Sequence, residues 1–147
     1  MTAPIAAGLV EIPASHLDLL TRPICGELTT MLPDGQPCSC LVWVDFDGES
    51  ARVNTTLERR QGRNLLRNPK VSLLVVDPAN TGRFLQVRGE AQLVTDGALE
   101  HLDALTRAYT AHPAFYGYVY PVEQRARETR VICRITAGRV NLDAIHA

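Results

Sequence analysis

Residues 70–94 leave this chain few folds to choose from. KVSLLVVD is an apolar, β-branched run of the kind that fills a buried strand, PANTG supplies turn residues, and RFLQVRGEAQLV returns as a long second strand. Gly89 inside the second run predicts a bulge or sharp bend, the device with which barrels turn corners. The same two-residue period begins at Ile24. ICGELTTML, the turn PDGQP with Asp34 and Gly35, then CSCLVWVDF read as a hairpin, and after DFDGES the run ARVNTT reads as a third strand. Taken in order, these three predict an antiparallel meander. TRVICRITAGRVNL reads as a last strand, so about six antiparallel strands point to a small, mainly β barrel.

Two or three short helices flank these strands. SHLDLL offers Ser15 as N-cap with Asp18 three residues on. Residues 58–67 lose the alternation and place Arg60, Arg63 and Arg67 on one helical face with Leu65 turned away, before Asn68 and Pro69 end the helix. Leu99, Leu102, Leu105 and Tyr109 stand at helical spacing behind Asp96 as N-cap. A length of 147 residues suits a single domain over 1–147, with residues 1–12, small and uncapped, as a loose N-terminal arm.

Charge and cysteine usage narrow the function classes. Acidic and basic residues nearly cancel, 16 against 15, so a broad cationic surface for duplex nucleic acid is not expected, and strand aromatics for single strands are few. No apolar run approaches the roughly 18 to 20 residues that span a bilayer. Cys25, Cys38, Cys40 and Cys133 lack paired Cys-x-x-Cys spacing and follow no secretory leader, which fits a reduced cytoplasm. Cys38 and Cys40 point to one strand face; without further ligands they read as packing residues, and no metal is assigned.

The stretch NTTLERRQGRNLLRNPK gathers Arg59, Arg60, Arg63, Arg67 and Lys70 in a chain of nearly zero net charge. A strand ending in Asn54, Thr55 and Thr56 brings N–H groups and hydroxyls to the mouth of a sheet, and the following helix start adds its dipole and Arg59 and Arg60. That is the makeup of a phosphate site; a solvated cationic helix face is the other reading of the same pattern.

The order of NTTLERRQGRNLLRNPKVSLLVV, a turn and RFLQVRGEAQLV resembles the pyridoxamine-phosphate-oxidase-like split barrels, whose flavin-binding members carry Tyr-Thr-x-x-x-Ser-Arg-Lys, then Asn-Pro, then an Arg-Gln-Val-Arg strand. The resemblance spans residues 24–94 and extends weakly to 140. It implies a six-stranded antiparallel split β-barrel of Greek-key type. Thr55 and Arg60 match the motif's phosphate contacts, and Gln86 and Arg88 match its later strand. Arg59 stands where the motif has serine and Gln61 where it has lysine; both, with Asn54, Thr56 and Asn64, belong to the implied cofactor contacts. The strand matching PCSCLVWVDF lies along the cofactor ring in that family, so Cys38, Ser39, Leu41 and Val42 are implied ring contacts.

LPDGQP, NLLRNP and VVDPANTGRFLQVRG look most like the branch that binds the deazaflavin F420, some of whose members take FMN. The resemblance implies an F420-dependent oxidoreductase passing hydride to a small conjugated or unsaturated substrate, as a cytoplasmic homodimer with cofactor sites between subunits. The alternatives are an FMN-dependent oxidoreductase and a non-catalytic protein that stores or senses FMN, F420 or haem. Pyridoxamine phosphate oxidation is not assigned: Arg130, Arg134 and Arg139 do not form an Arg-x-His pattern. Trp43 reads as a core or dimer-contact residue, and Tyr116, Tyr118 and Tyr120 as either a substrate-pocket lining or a packed loop. His16, His101, His112 and His146 are too scattered to nominate a base.

Overall fold

A computed structural model describes residues 8–143. Seven strands form one curled antiparallel sheet: β1 (Gly26–Met31), β2 (Pro37–Val42), β3 (Asp45–Phe46), β4 (Ala51–Thr56), β5 (Lys70–Val76), β6 (Phe84–Val94) and β7 (Arg130–Leu142). Their spatial order is β2-β1-β5-β6-β7-β4-β3. Three helices pack on it, α1 (Asp18–Thr21), α2 (Arg60–Arg67) and α3 (Ala98–Tyr109), with 3-10 turns at Ala14–His16 and Val122–Arg127. The architecture is the expected mainly β half-barrel, with one strand more than the six expected.

The extra strand comes from a break in CSCLVWVDF. Strand pairing stops at Val42, and the next residues leave the sheet. The Val44 N–H donates to the Tyr109 hydroxyl at 2.9 Å, and that hydroxyl donates in turn to the Ile24 carbonyl at 2.7 Å or the Val44 carbonyl at 2.9 Å. Trp43 stacks on the Tyr109 ring at 5.5 Å. Backbone groups that a neighbouring strand would have paired are therefore satisfied by a side chain of α3. The chain crosses from one sheet edge, β2, to the other, β3. The expected meander is corrected accordingly: β1 pairs with β2 and β5, while β4 pairs with β3 and β7.

Alternation along the strands sets the core. Leu28, Leu73, Val75, Leu85, Val87, Val53, Cys133 and Ile135 point inward and are at most 1% exposed, joined by Leu19 and Leu20 of α1 and Leu65 of α2. Each such aliphatic side chain stabilises the fold by about 1.5–3 kcal/mol relative to exposure. The bulge expected at Gly89 is present as a register shift between Arg88 and Gly89. A Cβ on Gly89 would sit 1.7 Å from the Thr136 carbonyl oxygen, so only glycine lets β7 wrap this closely.

Two expectations at the N-terminus change. Residues 1–7 of the expected arm, like His146, lie outside the described residues, but from Val10 onward the arm is docked: the Val10 N–H donates to Ala137 O at 2.8 Å and Ile12 is buried. Ser15 caps no helix. Its hydroxyl lies 2.8 Å from His16 Nδ1, and α1 starts only at Asp18 without a side-chain cap. Asp18 serves instead as an ion-pair partner, receiving Arg83 at 2.6 Å; Arg83 also reaches Asp77 at 3.1 Å and so ties α1 to the β5–β6 hairpin.

Removing the Tyr109 hydroxyl tests the crossing. Tyr109→Phe leaves the Val44 N–H and a carbonyl without partners and is expected to cost about 1–3 kcal/mol in urea unfolding, with the Trp43 emission spectrum shifted.

Candidate functional site

The corner between β4 and α2 is built by two close contacts. Thr56 is fully buried and its hydroxyl accepts the Arg59 N–H at 3.0 Å, which ties the residue before α2 back to the end of β4. Gly62 then packs against the strand end, where an added Cβ would lie 2.0 Å from the Thr56 carbonyl oxygen. That glycine brings the first turn of α2 against the sheet. The N–H groups of Arg60, Gln61 and Gly62 precede the first helical bond and have no acceptor among the described residues.

The arginines of this stretch divide into two pairs. Arg59 lies 3.3 Å from Glu128 and over the Tyr120 ring at 5.6 Å, and Arg67 donates to Asn64 Oδ1 at 2.9 Å and to Met31 O at 3.1 Å. Arg60 and Arg63 are exposed and have no hydrogen-bond or ion-pair partner among the described residues. Free amides and the unpaired Arg60 and Arg63 thus belong to the first turn of one helix, with Thr55, 6% exposed, at the strand end before it.

Three of the implied contacts have side chains engaged within the protein. Asn64 is buried and donates to the Thr30 hydroxyl at 3.0 Å while accepting Arg67. Asn54 donates to Ala98 O at 2.8 Å and to His101 Nδ1 at 3.1 Å. Thr56 accepts the Arg59 N–H, as just described. In each case the sequence shows a polar side chain of the right type but not the distant partner that takes it.

β2 is an edge strand, and its side chains part to two faces. Cys38, Cys40 and Val42 are half-buried, and burial pushes the Cys40 thiol pKa up, with Gln61 of α2 acting against that rise. Ser39 and Leu41 point outward; Leu41 is 78% exposed, and the Ser39 and Thr29 hydroxyls are 2.8 Å apart. Gln86 and Arg88 share that outward face, in rows running Leu41, Glu27, Leu74, Gln86 and Ser39, Thr29, Ser72, Arg88. Gln86 donates to the Ser72 hydroxyl at 3.1 Å and Arg88 to Asn141 Oδ1 at 2.9 Å. The implied contacts therefore form two groups, the α2 corner and the outer sheet face, with β2 bordering both. Two concavities lie elsewhere: one of about 80 Å³ under α3, lined by Arg22, Val44, Asp45 and Tyr109, and an open groove along Lys70, Arg88, Glu90 and Arg139.

A polar chain absent from the sequence reading backs the corner. Glu128 accepts the Tyr116 hydroxyl at 2.9 Å and pairs with Arg59; Arg130 donates to Tyr116 at 2.8 Å and to Asn54 Oδ1 at 3.4 Å. Asn54 donates to His101, whose Nε2 lies 3.1 Å from Asp45, and Arg52 closes the chain by holding Asp45 with two bonds of 2.8 and 2.9 Å. Because Asn54 fills Nδ1 as donor, the imidazole carries its proton on Nε2 and gives it to Asp45. Tyr116 is thus packed, whereas Tyr120, although it stacks on Phe115 at 5.7 Å, stays 41% exposed and Tyr118 is 58% exposed. Trp43 belongs to the same aromatic set, edge-on to Phe115 at 6.3 Å.

The sequence profile of pyridoxamine 5'-phosphate oxidase matches residues 12–142. The chain belongs to this family. Among solved structures, an F420 reductase superposes with a TM-score of 0.75 at 32% identity, covering 88% of this chain and 98% of the reductase. The conserved hypothetical protein Rv2991 from Mycobacterium tuberculosis gives a TM-score of 0.66 at 27% identity, covering 96% and 89% of the two chains. General Stress Protein 26 from Bacillus anthracis, at 15% identity, TM-score 0.60 and coverage of 86% and 88%, supports the fold alone. No protein of curated function matches the chain. This member of the pyridoxamine 5'-phosphate oxidase family has the fold of flavin- and F420-type oxidoreductases. No helix among its described residues is long and apolar enough to cross a membrane.

Asp45 gives the polar chain a pH signature. Burial alone would raise its carboxyl pKa, but hydrogen bonds from His101 and Arg52 outweigh that and hold it below the usual value. A lowered folded-state pKa stabilises the protein above the unfolded value of about 3.9, and the gain is lost as pH falls through the folded value. Asp45→Asn is expected to be less stable than the native protein near pH 7, with the gap closing below about pH 4 in urea unfolding.

Proposed function

We propose that the chain is an oxidoreductase that holds the deazaflavin F420 and serves hydride transfer to a small conjugated or unsaturated substrate. The observation that carries this reading is the α2 corner, where unpaired Arg60 and Arg63 meet three unbonded amides. The 32% identity to an F420 reductase over nearly its whole length supports F420 ahead of FMN in this reading.

The corner suits a phosphodiester. Gly62 lets the helix start pack onto the end of β4, the free N–H groups point along the helix axis, and the Thr55 hydroxyl has no partner among the described residues. Arg60 supplies the fixed charge, while Arg59, neutralised by Glu128, holds the corner in shape. β2 offers its free edge beside Gln61, and the backbone around Ser39 and Leu41 would orient the ring and donate to charge developing on the substrate. When bound, the deazaflavin supplies the hydride from C5 of its ring. Gln86 and Arg88 stand on the outward face, where a second subunit would complete the site; the exposed Leu41 side chain there supports a homodimer.

Gln61 favours a second reading, storage or sensing of F420, FMN or haem without catalysis, because it leaves the corner one cation short of the flavin motif. Purified protein mixed with reduced F420 and a panel of quinones, enones and tetrapyrroles separates the two: oxidation of the deazaflavin with turnover supports the enzyme, and tight binding without turnover supports the carrier. Arg60→Ala is expected to weaken F420 binding by about 1.5–3 kcal/mol in a fluorescence titration. Unchanged affinity would remove the phosphodiester from this corner.

A further inference from the structure

Ser15, His16 and Asp143 form a hydrogen-bonded line that the α2 corner does not use. The Ser15 hydroxyl lies 2.8 Å from His16 Nδ1, and His16 Nε2 lies 3.0 Å from Asp143 Oδ1, across 127 positions of sequence. The line is remote from α2. Asp143 follows the last residue of β7, whereas the α2 corner stands at the first, where Thr56 pairs with Arg130.

The carboxylate fixes the tautomer. An ionised Asp143 can only accept, so the neutral imidazole carries its proton on Nε2 and leaves the Nδ1 lone pair to the Ser15 hydroxyl. In that arrangement an imidazole serves as general base to an alcohol. Asp143 is held in place for it: its backbone stands at φ 57°, the only positive φ at a non-glycine position among the described residues, and its Oδ1 also accepts the Phe84 N–H at 3.3 Å. The hydrogen bond from His16 keeps its carboxyl pKa below the usual value. His16 is 7% exposed, whereas Ser15 is exposed. Arg83 anchors the serine's backbone, its Nη2 donating to Ser15 O at 2.7 Å and to Asp18 at 2.6 Å. The Ser15 N–H has no acceptor among the described residues and can donate to an oxyanion formed on a carbon bonded to Oγ. A clasp between the N-terminal segment and the end of β7 would need only His16 and Asp143; the exposed hydroxyl on Nδ1 adds a nucleophile.

We infer that Ser15 is an activated nucleophile, with His16 as its general base and Asp143 as the positioning residue, and that the protein cleaves small esters with good leaving groups. Ser15 Oγ bonds to the acyl carbon as its proton passes to His16 Nδ1. The bond from that carbon to the alcohol oxygen then breaks, and the departing oxygen takes the proton from Nδ1. Water next attacks the acyl-serine and gives a proton to Nδ1, which returns it to Oγ as the carboxylic acid leaves. Ester and water become acid and alcohol, with no change of oxidation state and no part for the coenzyme. Since the serine stands on an exposed turn, the ease of the leaving group rather than a fitted pocket sets which esters react.

Two probes test this on the purified full chain: hydrolysis of p-nitrophenyl acetate, and labelling by a fluorophosphonate read by peptide mass spectrometry. The native protein is expected to release p-nitrophenol with an initial burst and to take a single label, at Ser15. Ser15→Ala, a change at an exposed residue, is expected to lose the label and at least about tenfold in hydrolysis. Asp143→Asn is expected to slow labelling and lower kcat while KM for the ester stays nearly unchanged, a split that a merely structural role would not give. Native protein that takes no label, a label on another residue, or Ser15→Ala that hydrolyses the ester at the native rate overturns the inference. Asp143→Asn that is labelled as fast as the native protein overturns the relay.

Discussion

The capture of the Val44 backbone by the Tyr109 hydroxyl decides the topology on which the rest of the structure depends. A strand running on through Trp43 would have paired its way into a simple meander. With those backbone groups satisfied by α3, the chain leaves the sheet at β2 and rejoins it at the opposite edge as β3. β4 is then free to pair with the C-terminal strand, and the sheet curls with β2 as an open edge. The crossing therefore places three otherwise separate things together: the end of β4, the start of α2 and the free edge of β2.

Around that corner, charge is sorted by burial. Arg52, Arg59 and Arg130 sit beside carboxylates, and their positions are fixed by aromatic rings or by bidentate geometry. Such pairs offset desolvation and hold elements in register more than they add net stability. Arg60, Arg63, Arg125 and Arg127 have no such partners and remain in water. The distinction matters chemically, because a guanidinium already neutralised inside the protein offers little to an incoming anion. Arg59 illustrates it: its replacement of the motif serine adds no free charge, since Glu128 consumes it, but it latches the aromatic loop against α2.

The mainly β class and the bulge at Gly89 were legible because both depend on local pattern, namely period-two alternation and a glycine within a strand; the seventh strand, from the break after Val42, was not. The corner was legible in composition: a strand end, a helix start and a run of arginines lie within a few residues of each other. The fates of the individual side chains were not. Asn54 and Asn64 look alike in sequence to Thr55 and Arg60 as polar candidates, yet His101, 47 positions away, and Thr30, 34 positions away, claim them. Ser15 read as a helix cap for the same reason and instead lies against His16.

Local chemistry alone thus determined the strands, the glycine bend, α2 and the clustering of cations, since each depends on neighbours within one or two turns of chain. Tertiary structure decided the crossing at Val44, the pairing of β4 with β7, and which arginines stay unneutralised. Those outcomes hinge on hydrogen bonds and ion pairs between residues tens of positions apart, where a donor and its acceptor leave no mark on each other's local sequence.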